Sequence, residues 1–158
     1  MNSTYNTSVE IIKYLHSVCK DQIDINTQDK DGNTVFMRSA SNKNVEVMKY
    51  LHSTYKDQIN NINTQNKDGY TAFMYSASNT NVEVMQYLHN TYKDQISTNL
   101  QNKDGNTALI IAIVRSNIEV IKYLLSAYKD QIDINIKNKN GNTALMLAVQ
   151  NESVVEVI

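Results

Sequence analysis

The sequence predicts an all-α repeat solenoid, a stack of helix-loop-helix units joined by β-hairpin-like fingers. Three observations lead there. The four glycines, Gly32, Gly69, Gly105 and Gly141, are spaced by 37, 36 and 36 residues. The tetrapeptide Lys-Asp-Gln-Ile recurs at 20–23, 56–59, 93–96 and 129–132. Segments 30–59 and 67–96 agree at 24 of 30 positions. A fixed period of this size marks an array in which each unit buries its apolar face only by stacking on its neighbours. Complete units run over 29–65, 66–101 and 102–137. A half unit, 8–28, precedes them and an incomplete one, 138–158, follows, so residues 1–158 read as a single array.

Each unit parses in the same order. It opens on Asx-Lys-Asx-Gly at 29–32, 66–69, 102–105 and 138–141. Asx side chains bond nearby backbone and Gly takes positive φ cheaply, so this is a tight turn. Thr34, Thr71, Thr107 and Thr143 follow as N-caps of a two-turn helix at 35–41, 72–78, 108–114 and 144–150. A second helix starts at Asn44, Asn81 or Asn117, with Glu46, Glu83 or Glu119 placed to suit the positive helix end. Val45, Met48, Leu51, Tyr55 and Ile59 then recur at helical spacing. Val47 and Tyr50 widen the apolar surface, as suits a helix packed on more than one side. After Lys-Asp-Gln-Ile, an extended stretch (24–26, 133–135) leads to the next turn.

Residues 24–34, Asp-Ile-Asn-Thr-Gln-Asp-Lys-Asp-Gly-Asn-Thr, with the short helix, tight loop and longer helix behind them, resemble the finger and helices of an ankyrin repeat. The resemblance covers residues 8–158. There are departures. The family's Thr-Pro-Leu-His reads Thr34-Val35-Phe36-Met37, Thr71-Ala72-Phe73-Met74, Thr107-Ala108-Leu109-Ile110 and Thr143-Ala144-Leu145-Met146, and the chain has no Pro. Pro at the first helical position is favourable but dispensable. Without that His the family's usual inter-repeat hydrogen-bond element is gone, and packing is expected to substitute. Lys43, Thr80 or Ser116 stands where the family places a loop Gly, beside Asn residues that tolerate the left-handed conformation. The surplus over the family's ~33 residues reads as one extra turn on the second helix. The array is expected to open on a lone second helix and to be a piece of a longer protein, because residues 155–158 reach only one turn into another.

Composition narrows the function. The formal net charge is −1, so no global field draws in nucleic acid or an anionic membrane. Mean hydropathy is −0.45, and no apolar run approaches the ~20 residues of a membrane helix. A single Cys excludes an internal disulfide framework. The first residues lack a basic and an apolar region, so no secretory signal is read and an intracellular, cytoplasmic protein is expected. Asn makes up roughly one residue in seven.

Candidate chemistry is thin. His16, His52 and His89 share one repeat position, where the third unit has Leu125. Neighbouring units place such side chains ~10 Å apart, too far for shared zinc ligation, so a half-buried packing position is expected. Cys19 aligns with the packing residues Tyr55, Tyr92 and Tyr128, with no base placed beside it. The fingers lack the bidentate Glu of a calcium loop. No phosphate-loop, dinucleotide, zinc-protease or serine-hydrolase motif occurs. Asn2, Asn6 and Asn151 lie in chance glycosylation sequons. Tyr14, Tyr50, Tyr87 and Tyr123 read as packing at repeat joints. No enzymatic activity, cofactor or metal is expected.

The resemblance implies binding to another protein through finger tips and the concave face of the short helices. Position by position it points to Lys30, Asp31, Asn33, Arg38, Lys67, Asp68, Tyr70, Tyr75, Lys103, Asp104, Asn106 and Arg115, with Ser41, Asn42, Ser78, Asn79, Ile111 and Val114 around them. Otherwise near-identical units differ at Asn33/Tyr70/Asn106 and Arg38/Tyr75/Ile111. Tyr and Arg are favoured interface anchors, which singles out Tyr70, Tyr75 and Arg38. The chain would be a monomeric scaffold or, alternatively, the recognition arm of a larger enzyme or effector.

Overall fold

The computed structural model describes residues 4–42, 45–59 and 61–150. Eight α-helices follow one another among them: α1 (Thr4–Cys19), α2 (Val35–Ser41), α3 (Val45–Tyr55), α4 (Ala72–Ser78), α5 (Val82–Tyr92), α6 (Ala108–Val114), α7 (Ile118–Ala127) and α8 (Ala144–Gln150). They form two rows. The short helices α2, α4, α6 and α8 pack in sequence, and the longer α1, α3, α5 and α7 pack in sequence behind them. Residues 43, 44 and 151–158 lie outside the described residues, and with them Lys43, the expected cap Asn44 and the start of a last second helix.

The short helices begin where Thr and the apolar run placed them. Thr34, Thr71, Thr107 and Thr143 each accept a hydrogen bond from the backbone N–H three residues on, at 3.1–3.3 Å. This satisfies one donor that a helix start leaves open. Asn81 and Asn117 cap α5 and α7 in the same way.

The core runs continuously between the rows. Met48, Met74, Met85, Leu88, Ile110, Leu124 and Tyr128 are fully buried. Aromatic rings tie one unit's short helix to the next unit's long one: Phe36 meets Tyr92 edge-on at 6.0 Å, and Phe73 meets Tyr128 at 5.4 Å.

The fingers are turns, with no strand among the described residues; each closes on two backbone bonds, such as Gly32 N–H to Asp29 O and Asp29 N–H to Asn33 O, both 2.9 Å. Three expectations are corrected. The extra turn is not α-helix but a 3-10 turn in the first two complete units and a plain turn at 129–131 in the third: at Tyr55 the backbone leaves the helical region (φ −126°, ψ 19°) and Lys56–Gln58 tightens. Ile59 still reaches the core, half-buried. The stretch before each finger is itself a turn, because Asp24, Asn61 and Asp133 accept from the N–H two residues on. Tyr14 is 71% exposed rather than packed at a joint.

The joints are not held by packing alone, as the loss of the family's histidine had led one to expect. Asparagine carries hydrogen bonds across them. Asn26, Asn63 and Asn99 donate from Nδ2 to the carbonyls of Gln58, Gln95 and Gln131 in the following unit, at 2.6–2.8 Å. Asn79 Nδ2 donates to Asn42 O at 2.9 Å, and Asn117 Nδ2 donates to Asn79 O. Successive fingers are joined by backbone bonds from Lys67, Lys103 and Lys139 N–H to Asp31, Asp68 and Asp104 O, at 2.8–2.9 Å. The loop Gly is replaced in different ways by the described residues Thr80 and Ser116. Ser116 takes the left-handed conformation itself (φ 53°), the single non-glycine described residue to do so.

Candidate functional site

The finger face is built on one asparagine per finger. Oδ1 of Asn66, Asn102 and Asn138 accepts from two N–H groups of its own turn, two and four residues on, at 2.8–3.1 Å. This leaves the amide Nδ2 free to reach back to the preceding finger. Asn66 Nδ2 donates to Asn33 Oδ1 at 2.8 Å, and Asn138 Nδ2 donates to Asn106 Oδ1 at 3.1 Å. In the first and third fingers the residue after the Gly, Asn33 or Asn106, is therefore the acceptor of a ladder. In the first finger Asp29 takes the asparagine's place. Its Oδ1 pins the turn in the same way, and its Oδ2 binds Arg38.

Tyr70 breaks this ladder. It stands where Asn33 and Asn106 supply an amide oxygen, and a tyrosine ring offers none there. Asn102 Nδ2 is buried and finds no hydrogen-bond partner. A buried donor left in that state costs about 1–3 kcal/mol. Tyr70 is itself half-buried and stacks on Tyr75, ring centroids 5.1 Å apart and planes tilted 31°. The Tyr75 hydroxyl donates to Asn33 Oδ1 and accepts from Asn66 Nδ2, both at 2.9 Å.

Arg38 stands beside this aromatic step. Its Nε and Nη2 reach Asp29 Oδ2 at 2.8 and 2.5 Å, and Nη2 reaches Asp31 Oδ2 at 3.3 Å. The backbone N–H of Asn33, then Arg38, holds the Asp29 carboxyl down at about 2. Arg38 is thus an oriented guanidinium rather than a loose one. The Asp29–Arg38 pair and the two stacked tyrosines are linked across the first two units through the buried amides of Asn33 and Asn66.

The sequence-derived residues divide accordingly. Lys30, Asp31, Arg38, Lys67, Asp68, Lys103, Asp104 and Arg115 are exposed, and Tyr70, Tyr75 and Asn106 are half-buried. Asn33 is corrected: it is 4% exposed and belongs to the ladder, not to the free surface. Asn79 and Ile111, at the edge of the candidate set, are also buried. Lys67 spends its ammonium on Lys30 O at 2.7 Å. The structure brings Arg38, Tyr70 and Tyr75 together. Sequence reasoning missed Asp29, whose signal was its place as the one carboxylate among Asn66, Asn102 and Asn138.

Elsewhere, each histidine is engaged by the next unit. His16 and His52 lie 2.9 Å from the hydroxyls of Tyr50 and Tyr87, and His89 sits edge-on to Tyr123 and Tyr128. Among the described residues no three of His, Cys, Asp and Glu come together. No described helix is long and apolar enough to cross a membrane. Cys19 is half-buried in an apolar groove of about 270 Å³ with Ile12, Leu15, Val35 and Tyr55.

The comparisons with known proteins agree with this architecture. No curated protein matches the sequence. The family model for ankyrin repeats, which are generally protein–protein interaction modules, matches residues 1–99 and 93–158 in three copies. With that coverage and with the stacked units described above, the chain belongs to the ankyrin repeat family.

Proposed function

We propose that the chain is a non-catalytic scaffold that binds a partner protein on the face formed by Arg38, Tyr70 and Tyr75, with the finger-tip residues around them. The observation that carries this reading is the cost of Tyr70. It leaves Asn102 Nδ2 buried and unpaired, where the asparagine used in the other fingers would have satisfied it. A residue that breaks its neighbours' rule for no more than a half-buried ring contact is the kind that function retains. Tyrosine next to an oriented arginine offers large, rigid contact area with few rotors to freeze.

The test is quantitative affinity capture from source-cell extract with wild type and Tyr70→Asn. The substitution restores the ladder's own residue, so the fold is kept while the anchor is lost. Loss of the captured partner at unchanged or higher stability supports the site. Undiminished capture overturns it.

A further inference from the structure

The helix-2 histidines form a second ladder, on the side of the stack behind the finger face. His16 is flanked by Tyr50 and Tyr55 of the next unit, with centroids 6.3 and 5.3 Å away. His52 is flanked by Tyr87 and Tyr92 at 6.0 and 5.3 Å, and His89 by Tyr123 and Tyr128 at 5.8 and 4.8 Å. Each imidazole therefore sits in a joint against aromatic rings of the following unit, and His52 and His89 are edge-on to theirs. We propose that this ladder makes the cohesion of the repeat stack acid-sensitive: mild acid charges His52 and His89 and loosens the two joints they close.

The geometry sets the direction. A charged imidazole must donate from both ring nitrogens. His89 Nδ1 is buried and has no partner, so its protonation buries an unsatisfied N–H. His52 Nδ1 faces the Tyr87 hydroxyl, which must then act as acceptor toward it. No carboxylate from α5 or α7 faces either ring. The groups presented by these helices are Tyr87 and Tyr92 to His52, and Tyr123 and Tyr128 to His89. On their own segments, Lys56 repels a charge on His52, and Lys93 repels one on His89 against partial relief from Asp94.

Burial in the joint, then those lysines, push both imidazoles below their ordinary value. On acidification the unfolded chain takes up these protons first, so the ladder's contribution is complete above about pH 6.5 and drains as pH falls below it. The three histidines are the sequence's only side chains whose ordinary pKa lies in that range.

The experiment is thermal unfolding of the whole chain at about pH 7.5 and about pH 5.5, a span that isolates histidine from the carboxylates. Wild type is compared with the double variant His52→Gln, His89→Gln, and the wild-type imidazoles are titrated by NMR. The wild-type Tm is expected to drop by several degrees, the variant's Tm to drop by less than half as much, and both imidazoles to titrate below the ordinary histidine value. A flat wild-type Tm, an equal drop in the variant, or titration at or above that value overturns the proposal. The NMR arm decides alone if the double variant does not fold.

Discussion

Asparagine dominates at the residue scale because its short amide offers an acceptor to its own turn and a donor to a neighbouring unit. Asn66 does both. Asn66→Ala removes four side-chain hydrogen bonds and leaves the buried Asn33 Oδ1 with the Tyr75 hydroxyl as its remaining donor. It should cost about 2–3 kcal/mol, read from urea unfolding. Ser116 makes the opposite prediction. A serine at φ 53° carries a Cβ penalty that glycine avoids. Ser116→Gly should therefore stabilise by up to about 1 kcal/mol in the same measurement. The buried hydroxyl of Tyr128 has no hydrogen-bond partner, so Tyr128→Phe is expected to leave the urea midpoint unchanged or raise it.

Elements were legible to different depths. The short helices came out of the sequence with their bounds intact, because Thr caps and an abrupt apolar run mark both the start and the face. The extra turn was visible as surplus length, but its 3-10 geometry was not, since Lys-Asp-Gln carries no local signal that separates one helical winding from another. The fingers were legible as turns. Their ladder was not, because it depends on which side chain of the neighbouring finger lies opposite. Hence Asn33 looks like free surface in the sequence, although the same asparagine stands in the next finger but one. The finger glycines differ by neighbour. A Cβ on Gly69 would lie 2.9 Å from Asn102 Cα, whereas one on Gly141 meets nothing within 4 Å. Both have φ of +79°. Gly69→Ala should therefore lower the midpoint of thermal unfolding clearly more than Gly141→Ala, which pays only the φ penalty of about 1 kcal/mol.

For the whole molecule, stability is a sum of units and joints, so each joint can be tuned separately. The joint between the second and third fingers is the one whose ladder is incomplete, and the residue that interrupts it is the proposed anchor. The competing terms are unequal. Restoring the acceptor removes a penalty of about 1–3 kcal/mol, while losing the half-exposed Tyr70–Tyr75 pair forfeits about 0.5–1.5 kcal/mol. The most direct measurement is therefore the urea midpoint of Tyr70→Asn. The account predicts a higher midpoint than wild type, by about 1 kcal/mol of stability. A lower midpoint would show that Tyr70 is held for packing, and would contradict the reading of a residue kept for binding at the expense of the stack.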